Sequence, residues 1–284
     1  TRRRLWRHRR IVRTEVQRHS VFDGFRQVRR KRKGVLEGTP FLLIMEAEMA
    51  KYTTILWDLD QTLLNFDLSM EHALQAVFAQ YGLPIDEEIT ARYDAINRSY
   101  WLRLESGEMT KEQVTVGRFC TLFEELGITH VAPEQINADY QRELGNVFFY
   151  MDGAKELVVL LKEKGYRQYV VTNGVNTTQA SKMKRSGLDR IMDGVFVSEL
   201  MGYPKPRKEY FDACFAALPC VTREECILVG DSLTSDMRGA RNAGVASCWF
   251  NPTGRAKDVE VRTDYEIRRL EELLAILEQS EKNF

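Results

Sequence analysis

Asp58 and Asp60 stand two residues apart, directly after the apolar run Thr54-Ile55-Leu56-Trp57. Two carboxylates at that spacing, with a backbone turn between them, can divide a reaction so that one attacks and the other carries a proton. Three further groups occupy comparable places. Thr172 follows Val170-Val171 and offers a hydroxyl, and Asn173-Gly174 makes a tight turn whose N–H groups can face an anion. Lys205 lies between Pro204 and Pro206, where the backbone is held out of helix and an ammonium can be aimed with reduced freedom. Asp231 and Asp236 follow the apolar run 226–230, with Ser232 between them. A hard divalent cation such as Mg2+ takes oxygen ligands from a few carboxylates, water and substrate phosphate, which this carboxylate set supplies.

Each group taken alone has a plainer reading. A single Asp-x-Asp is also a solvated turn with helix-capping acids, Thr172-Asn173-Gly174 a plain strand-to-helix turn, and Lys205 a surface-loop lysine. Order and spacing decide between the readings, because side chains just beyond strand ends meet in the crevice at the carboxyl edge of a parallel sheet. The elements that would place them there can be read from the apolar pattern. Residues 54–57, 169–172, 194–198, 226–230 and 246–250 read as strands. Residues 154–164, 177–186, 207–218 and 235–243 read as helices, and Ile267, Leu270, Leu274 and Leu277 as the stripe of a closing helix. Such alternation predicts an α/β fold: a three-layer, Rossmann-like parallel sheet covered on both faces.

Between the first strand and this block, strand signals vanish. Residues 70–81, 86–107, 111–126 and 133–148 all read as helices, separated by Gly82, Gly107 and Gly127. The expected organisation is a core of residues 49–65 and 151–284 with a helical cap, 66–150, inserted after the first strand. An insert at that point hangs over the carboxyl edge as a lid.

Charge is segregated. Residues 1–44 carry 14 Lys and Arg against three acids, and the remainder 27 against 38. The acidic body is ordinary for a cytoplasmic enzyme and shows no nucleic-acid footprint. The basic leader, 1–48, reads as disordered and as sequence upstream of a native start near Met45 or Met49. An organelle presequence and a basic nucleic-acid arm are the competing readings. No stretch approaches the roughly 20 apolar residues that a membrane-spanning helix needs. The five cysteines, Cys120, Cys214, Cys220, Cys226 and Cys248, contain no C-x-x-C pair and read as free thiols.

Together, the four ordered motifs resemble those of the haloacid dehalogenase superfamily over residues 50–284. The resemblance implies that Asp58 is the nucleophile forming an aspartyl-phosphate and Asp60 the acid/base. It implies that Thr172 and Lys205 hold the phosphoryl oxygens, with Asn173 and Gly174 lining their site. It also implies that Mg2+ sits on Asp58, Asp231 and the Asp60 carbonyl, with Asp236 in support. The presence of Asp60 and of a full carboxylate set favours phosphate-ester hydrolysis over carbon–halogen cleavage. A phosphosugar mutase keeps the same groups, and a noncatalytic phosphometabolite-binding protein has little need of both acids.

The segments 97–101, 106–110, 117–119, 172–174 and 247–251 resemble the pyrimidine-nucleotide 5′-nucleotidases of that superfamily. The substrate this implies is a small phosphomonoester, a pyrimidine nucleoside monophosphate, with phosphoglycolate or a sugar phosphate as the alternative. Trp101 or Phe66 could then stack on a base, and Arg118 or Asn97 could hydrogen-bond its edge. The competing reading of these four is packing or solvated ion pairing.

Overall fold

A computed structural model of the chain describes residues 51–218, 220–257 and 260–279. The basic leader lies outside the described residues. Strand β1 (Thr54–Trp57) is central in a six-stranded, all-parallel sheet whose order is β3-β2-β1-β4-β5-β6. Its partners are β2 (Arg167–Thr172) and β4 (Cys226–Gly230), flanked by β3 (Gly194–Val197), β5 (Ala246–Phe250) and β6 (Tyr265–Ile267). Trp57 is level with Val170 on one side and Val229 on the other. Asp58, Thr172 and Asp231 therefore leave the sheet at the same edge.

Alternate residues of the strands feed two separate cores. Ile55, Trp57, Val170, Ile227 and Val229 pack with helix α5 (Ala154–Glu163) and helix α10 (Glu272–Gln279). Leu56, Val171, Leu228 and Trp249 pack with helices α8 (Lys208–Ala216) and α9 (Arg238–Ala243). Both faces are thus covered, as a parallel sheet requires. Each large side chain buried there contributes about 1.5–3 kcal/mol. Helix α6 (Asn176–Ser186) and the short α7 (Ser198–Met201) follow β2 and β3.

Four consecutive helices separate β1 from α5: α1 (Phe66–Gln80), α2 (Glu87–Glu105), α3 (Lys111–Leu126) and α4 (Pro133–Asn146). They share a third hydrophobic cluster, which includes Phe78, Tyr93, Phe119, Leu122 and Tyr140 and contains no residue of the sheet. Local sequence sets their ends. The Asn65 side chain accepts from Leu68 N, which starts α1 at Phe66 rather than Met70. Thr110 and Gln113 form a reciprocal capping box at the start of α3.

The chain end differs from the sequence pattern. Ile267 belongs to β6, a sixth strand, and Leu270 is buried before α10 begins. The three-residue strand carries too little periodicity to register, and Ile267, Leu270 and Leu274 fall at helical spacing by coincidence. Leu273 and Leu277 are the inward residues of α10, with Leu274 only partly buried. Among the described residues, no helix is long and apolar enough to cross a membrane. All five cysteines are free, and Cys226 is buried within β4.

Candidate active site

Asp58 is the first residue beyond β1, tied to the neighbouring strand by its N–H to Val229 O at 2.9 Å. Lys205 Nζ donates to Asp58 Oδ1 at 2.7 Å, to Asp236 Oδ1 at 2.7 Å and to the Val171 carbonyl at 2.8 Å. All three ammonium hydrogens are engaged, and the side chain is 1% exposed. Burial opposes the charge on Lys205, but Asp236 and Asp58 outweigh it and hold the pKa above the ordinary lysine value. The Lys205 main chain is clamped by Asn173, whose Oδ1 accepts from Lys205 N and whose Nδ2 donates to Lys205 O, each at 2.9 Å. The Asn173 amide is thus spent on positioning Lys205, although the residue still borders the cavity.

Asp231 follows β4 directly, and Asp236 sits in a single π-helical turn, Leu233–Met237. Ser232 N donates to Asp236 Oδ2 at 3.0 Å. Gly230 is required here, since a Cβ on it would fall 2.4 Å from Asp236 Cγ. Oxygens of Asp58, Asp231 and Asp236 lie within 4.8 Å of one another. Burial, the largest effect, pushes Asp58 well above the ordinary carboxylate range; Lys205 opposes it, and Asp236 and Asp231 reinforce it. Burial and then Asp236 push Asp231 up to about 7, against Arg255 and Lys205. Lys205 thus bonds two of the three crowded carboxylates, and the Arg255 guanidinium lies 3.8 Å from the third, Asp231. The shortfall of positive charge in an all-oxygen donor set fits a hard divalent cation.

Asp60 is separate from that cluster. Its Oδ1 accepts from Lys182 Nζ at 2.6 Å and its Oδ2 from Gln179 Nε2 at 2.7 Å. Gln179 Nε2 also donates to Thr172 Oγ1 at 2.8 Å, and Gly174 N donates to the same hydroxyl at 3.1 Å. Thr172 accepts two hydrogen bonds, so its own O–H is left to donate. Gly174 has no room for a side chain, because a Cβ would meet Gln179 Nε2 at 2.2 Å. Gln61, between the turn and Thr62, takes a left-handed φ of 64°. Its amide makes up for that strain by accepting from Phe66 N and donating to Asp67 Oδ2, both at 2.7 Å.

Asp58, Asp60, Thr172, Lys205, Asp231 and Asp236 face a cavity of about 610 Å3 that residues of the helical insert also line. Phe66, Asn97 and Trp101 line it, and Lys182 Nζ lies 5.4 Å from the Phe66 ring centroid. Arg118 does not line it, which corrects the expectation that it reaches a bound base. It is 1% exposed among the rings of Tyr93, Phe119 and Tyr140, because three helices supply an aromatic cage that no single stretch of sequence displays.

Several residues escape a reading by motif. Lys182 and Gln179, from α6, hold Asp60. Glu105, at the end of α2, lines the cavity and accepts from Thr234 Oγ1 at 2.5 Å. Burial pushes its carboxyl up to about 7, opposed by the Thr234 bond. A signal for Glu105 exists, since Asn97, Trp101 and Glu105 recur at four-residue spacing on one helix face. Lys111, at the start of α3, donates to Gly174 O at 2.9 Å and Ser198 Oγ at 2.8 Å, linking the insert to the sheet edge.

A parallel α/β sheet with a buried carboxylate directly after its first strand, a buried lysine and a carboxylate cluster at one edge defines a class of hydrolase. The chain belongs to the haloacid dehalogenase-like hydrolase family, whose model matches residues 55–250. YfnB of Bacillus subtilis is 37% identical, covering 81% of this chain and 97% of that protein. The crystal structure of magnesium-bound YfnB superposes with a TM-score of 0.76, covering 80% of this chain and 99% of that chain at 37% identity. The pyrimidine 5′-nucleotidase PynA of Streptococcus pneumoniae is 29% identical over 81% of this chain and 96% of its own length. The pyrimidine 5′-nucleotidase YjjG of Escherichia coli is 29% identical, covering 80% and 98% respectively.

Proposed function

We propose that the chain is a magnesium-dependent phosphomonoester hydrolase acting on pyrimidine nucleoside monophosphates through an aspartyl-phosphate. The observation that carries this reading is the separation of the two acids. Asp58 is buried against Lys205 within a carboxylate cluster, whereas Asp60, two residues on, is held apart by Lys182 and Gln179. One carboxylate is placed to attack and the other to move protons. The nucleotidase names of two relatives, and magnesium in the structure of a third, point the same way.

Asp58 Oδ would attack phosphorus as the ester P–O bond breaks, and Asp60 would deliver a proton to the leaving oxygen. Water would then attack phosphorus, passing its proton to Asp60 and releasing Asp58. The Thr172 hydroxyl would donate to a phosphoryl oxygen. Lys205, with its hydrogens already engaged, would act by holding Asp58 and by its charge rather than as a free hand on phosphate. Mg2+ would be held by Asp58, Asp231 and the Asp60 carbonyl with Asp236 beside them, and would supply charge neutralisation for the phosphoryl oxygens. The helical insert, 66–150, would serve as the lid that excludes water and reads the leaving group. The cytoplasm suits such a substrate.

Phosphate release is measured from UMP, dTMP, CMP, AMP, sugar phosphates and phosphoglycolate, with Mg2+ and with EDTA. Release from pyrimidine nucleotides is expected with Mg2+ only. Asp58→Asn should remove it while the protein stays folded, and wild-type turnover in that variant would overturn the mechanism.

A further inference from the structure

Asn97 lies on the cavity side of α2 and is 3% exposed. Its Oδ1 accepts from Arg118 Nη1 at 2.7 Å and from Trp101 Nε1 at 3.0 Å. Rotating the amide by half a turn would set its N–H groups against two N–H donors, so its orientation is fixed. Among the described residues, Nδ2 has no protein partner. The amide therefore turns its acceptor toward the interior of the insert and leaves its donor for whatever fills the cavity.

Arg118 is one of the two donors that hold this amide. It is buried in the cage of Tyr93, Phe119 and Tyr140, with ring centroids 5.6, 5.5 and 4.9 Å from Cζ. Its other bonds go to Thr115 O and Asn137 Oδ1, and among the described residues it makes no ion pair. A cation without a counter-charge draws density from the Asn97 carbonyl and strengthens the amide N–H as a donor. Asn97 and Glu105 are eight residues apart on one helix, about 12 Å at 1.5 Å per residue. Glu105 bonds Thr234 beside the carboxylate cluster, and Asn97 lines the same cavity about two helical turns along α2 from that contact.

We propose that Asn97, locked by Arg118 and Trp101, is a one-way reader that selects a leaving group presenting a carbonyl oxygen and rejects one presenting an amino group. The inference rests on the nucleoside-monophosphate reading above. The base-edge atom it distinguishes is a carbonyl oxygen in uracil and thymine and an amino nitrogen in cytosine.

The test compares kcat/KM for UMP and CMP in wild type, Asn97→Asp and Asn97→Ala, with Tm measured for each. Aspartate keeps the oxygen that Arg118 and Trp101 bind, gains a charge partner in Arg118, and turns an acceptor toward the cavity. Wild type should prefer UMP by about tenfold or more, Asn97→Asp should shift the ratio at least about tenfold toward CMP, and Asn97→Ala should bring it near one. Nucleotide hydrolysis with a ratio that neither variant moves overturns the role of Asn97 and leaves the nucleotidase reading standing. Phosphate release from other esters and from no nucleotide overturns the nucleotidase reading, and this inference with it.

Discussion

Replacing Gly230 by alanine tests whether close packing sets the carboxylate cluster. A Cβ on Gly230 falls 2.4 Å from Cγ and Oδ2 of Asp236 and 2.6 Å from its Cβ. Ordinary carbon contacts lie near 3.5–4.0 Å, so the Asp236 side chain must retreat by about 1 Å. It has nowhere free to go, being 1% exposed, with Oδ1 at 2.7 Å from Lys205 Nζ and Oδ2 at 3.0 Å from Ser232 N. A retreat of that size takes the Lys205 contact out of hydrogen-bonding range and forfeits a charge-assisted bond of about 1.5–3 kcal/mol. Misplacing a catalytic group by about 1 Å lowers rates by about 100-fold. At 1.36 kcal/mol per tenfold, that is about 2.7 kcal/mol, in line with the bond lost. Phosphate release titrated with Mg2+ should show this fall in kcat and a higher magnesium requirement. A loss of about 2–3 kcal/mol should lower Tm by about 4–12 °C and leave the protein folded at room temperature. A folded variant within about threefold of wild-type activity, with an unchanged magnesium curve, would refute the argument.

Two other perturbations separate Asp60 from the cluster. Lys182→Met removes the cation from Asp60 without leaving a void, and kcat should fall about tenfold or more while the magnesium concentration for half activity stays put; a shifted magnesium requirement with unchanged kcat would contradict it. Part of the pH dependence of the metal-free protein comes from Asp231, raised to about 7 chiefly by burial. Unfolded aspartate titrates near 4, so between about pH 4 and pH 7 the native state binds the extra proton, and that contribution is lost as pH rises through about 7. In EDTA, the fall in Tm from about pH 5 to about pH 8 should therefore be smaller in Asp231→Asn than in wild type. Equal slopes would show that Asp231 titrates in its ordinary range.

The reaction is legible in the sequence where residue type and strand register coincide. Asp58, Thr172 and Asp231 each follow an apolar run, and parallel strands with Trp57 level with Val170 and Val229 bring them to one edge without help from distant contacts. Lys205 and Asp236 are legible as chemistry, but their closeness depends on Gly230, whose missing side chain carries no pattern. The sixth strand is hidden because three residues cannot outweigh an accidental helical spacing.

Selection is written differently. Arg118 is a long cation on a helix, which by type belongs in water. It is buried because Tyr93, Phe119 and Tyr140 come from three helices to enclose it, and only then does its bond to Asn97 fix the amide. Lys182 likewise gains meaning only from Asp60, far away in sequence and beneath the insert. Buried polar groups must find partners, and these partners lie on other elements, so periodicity along one helix cannot reveal them. On the proposed role of Asn97, a change of leaving group would need only the exchange of a few such pairs in the insert while the strand-end residues stay untouched. On this physics, relatives that share the strand-end motifs and differ at Asn97, Trp101 and Arg118 should share the phosphoryl chemistry and differ in what they release.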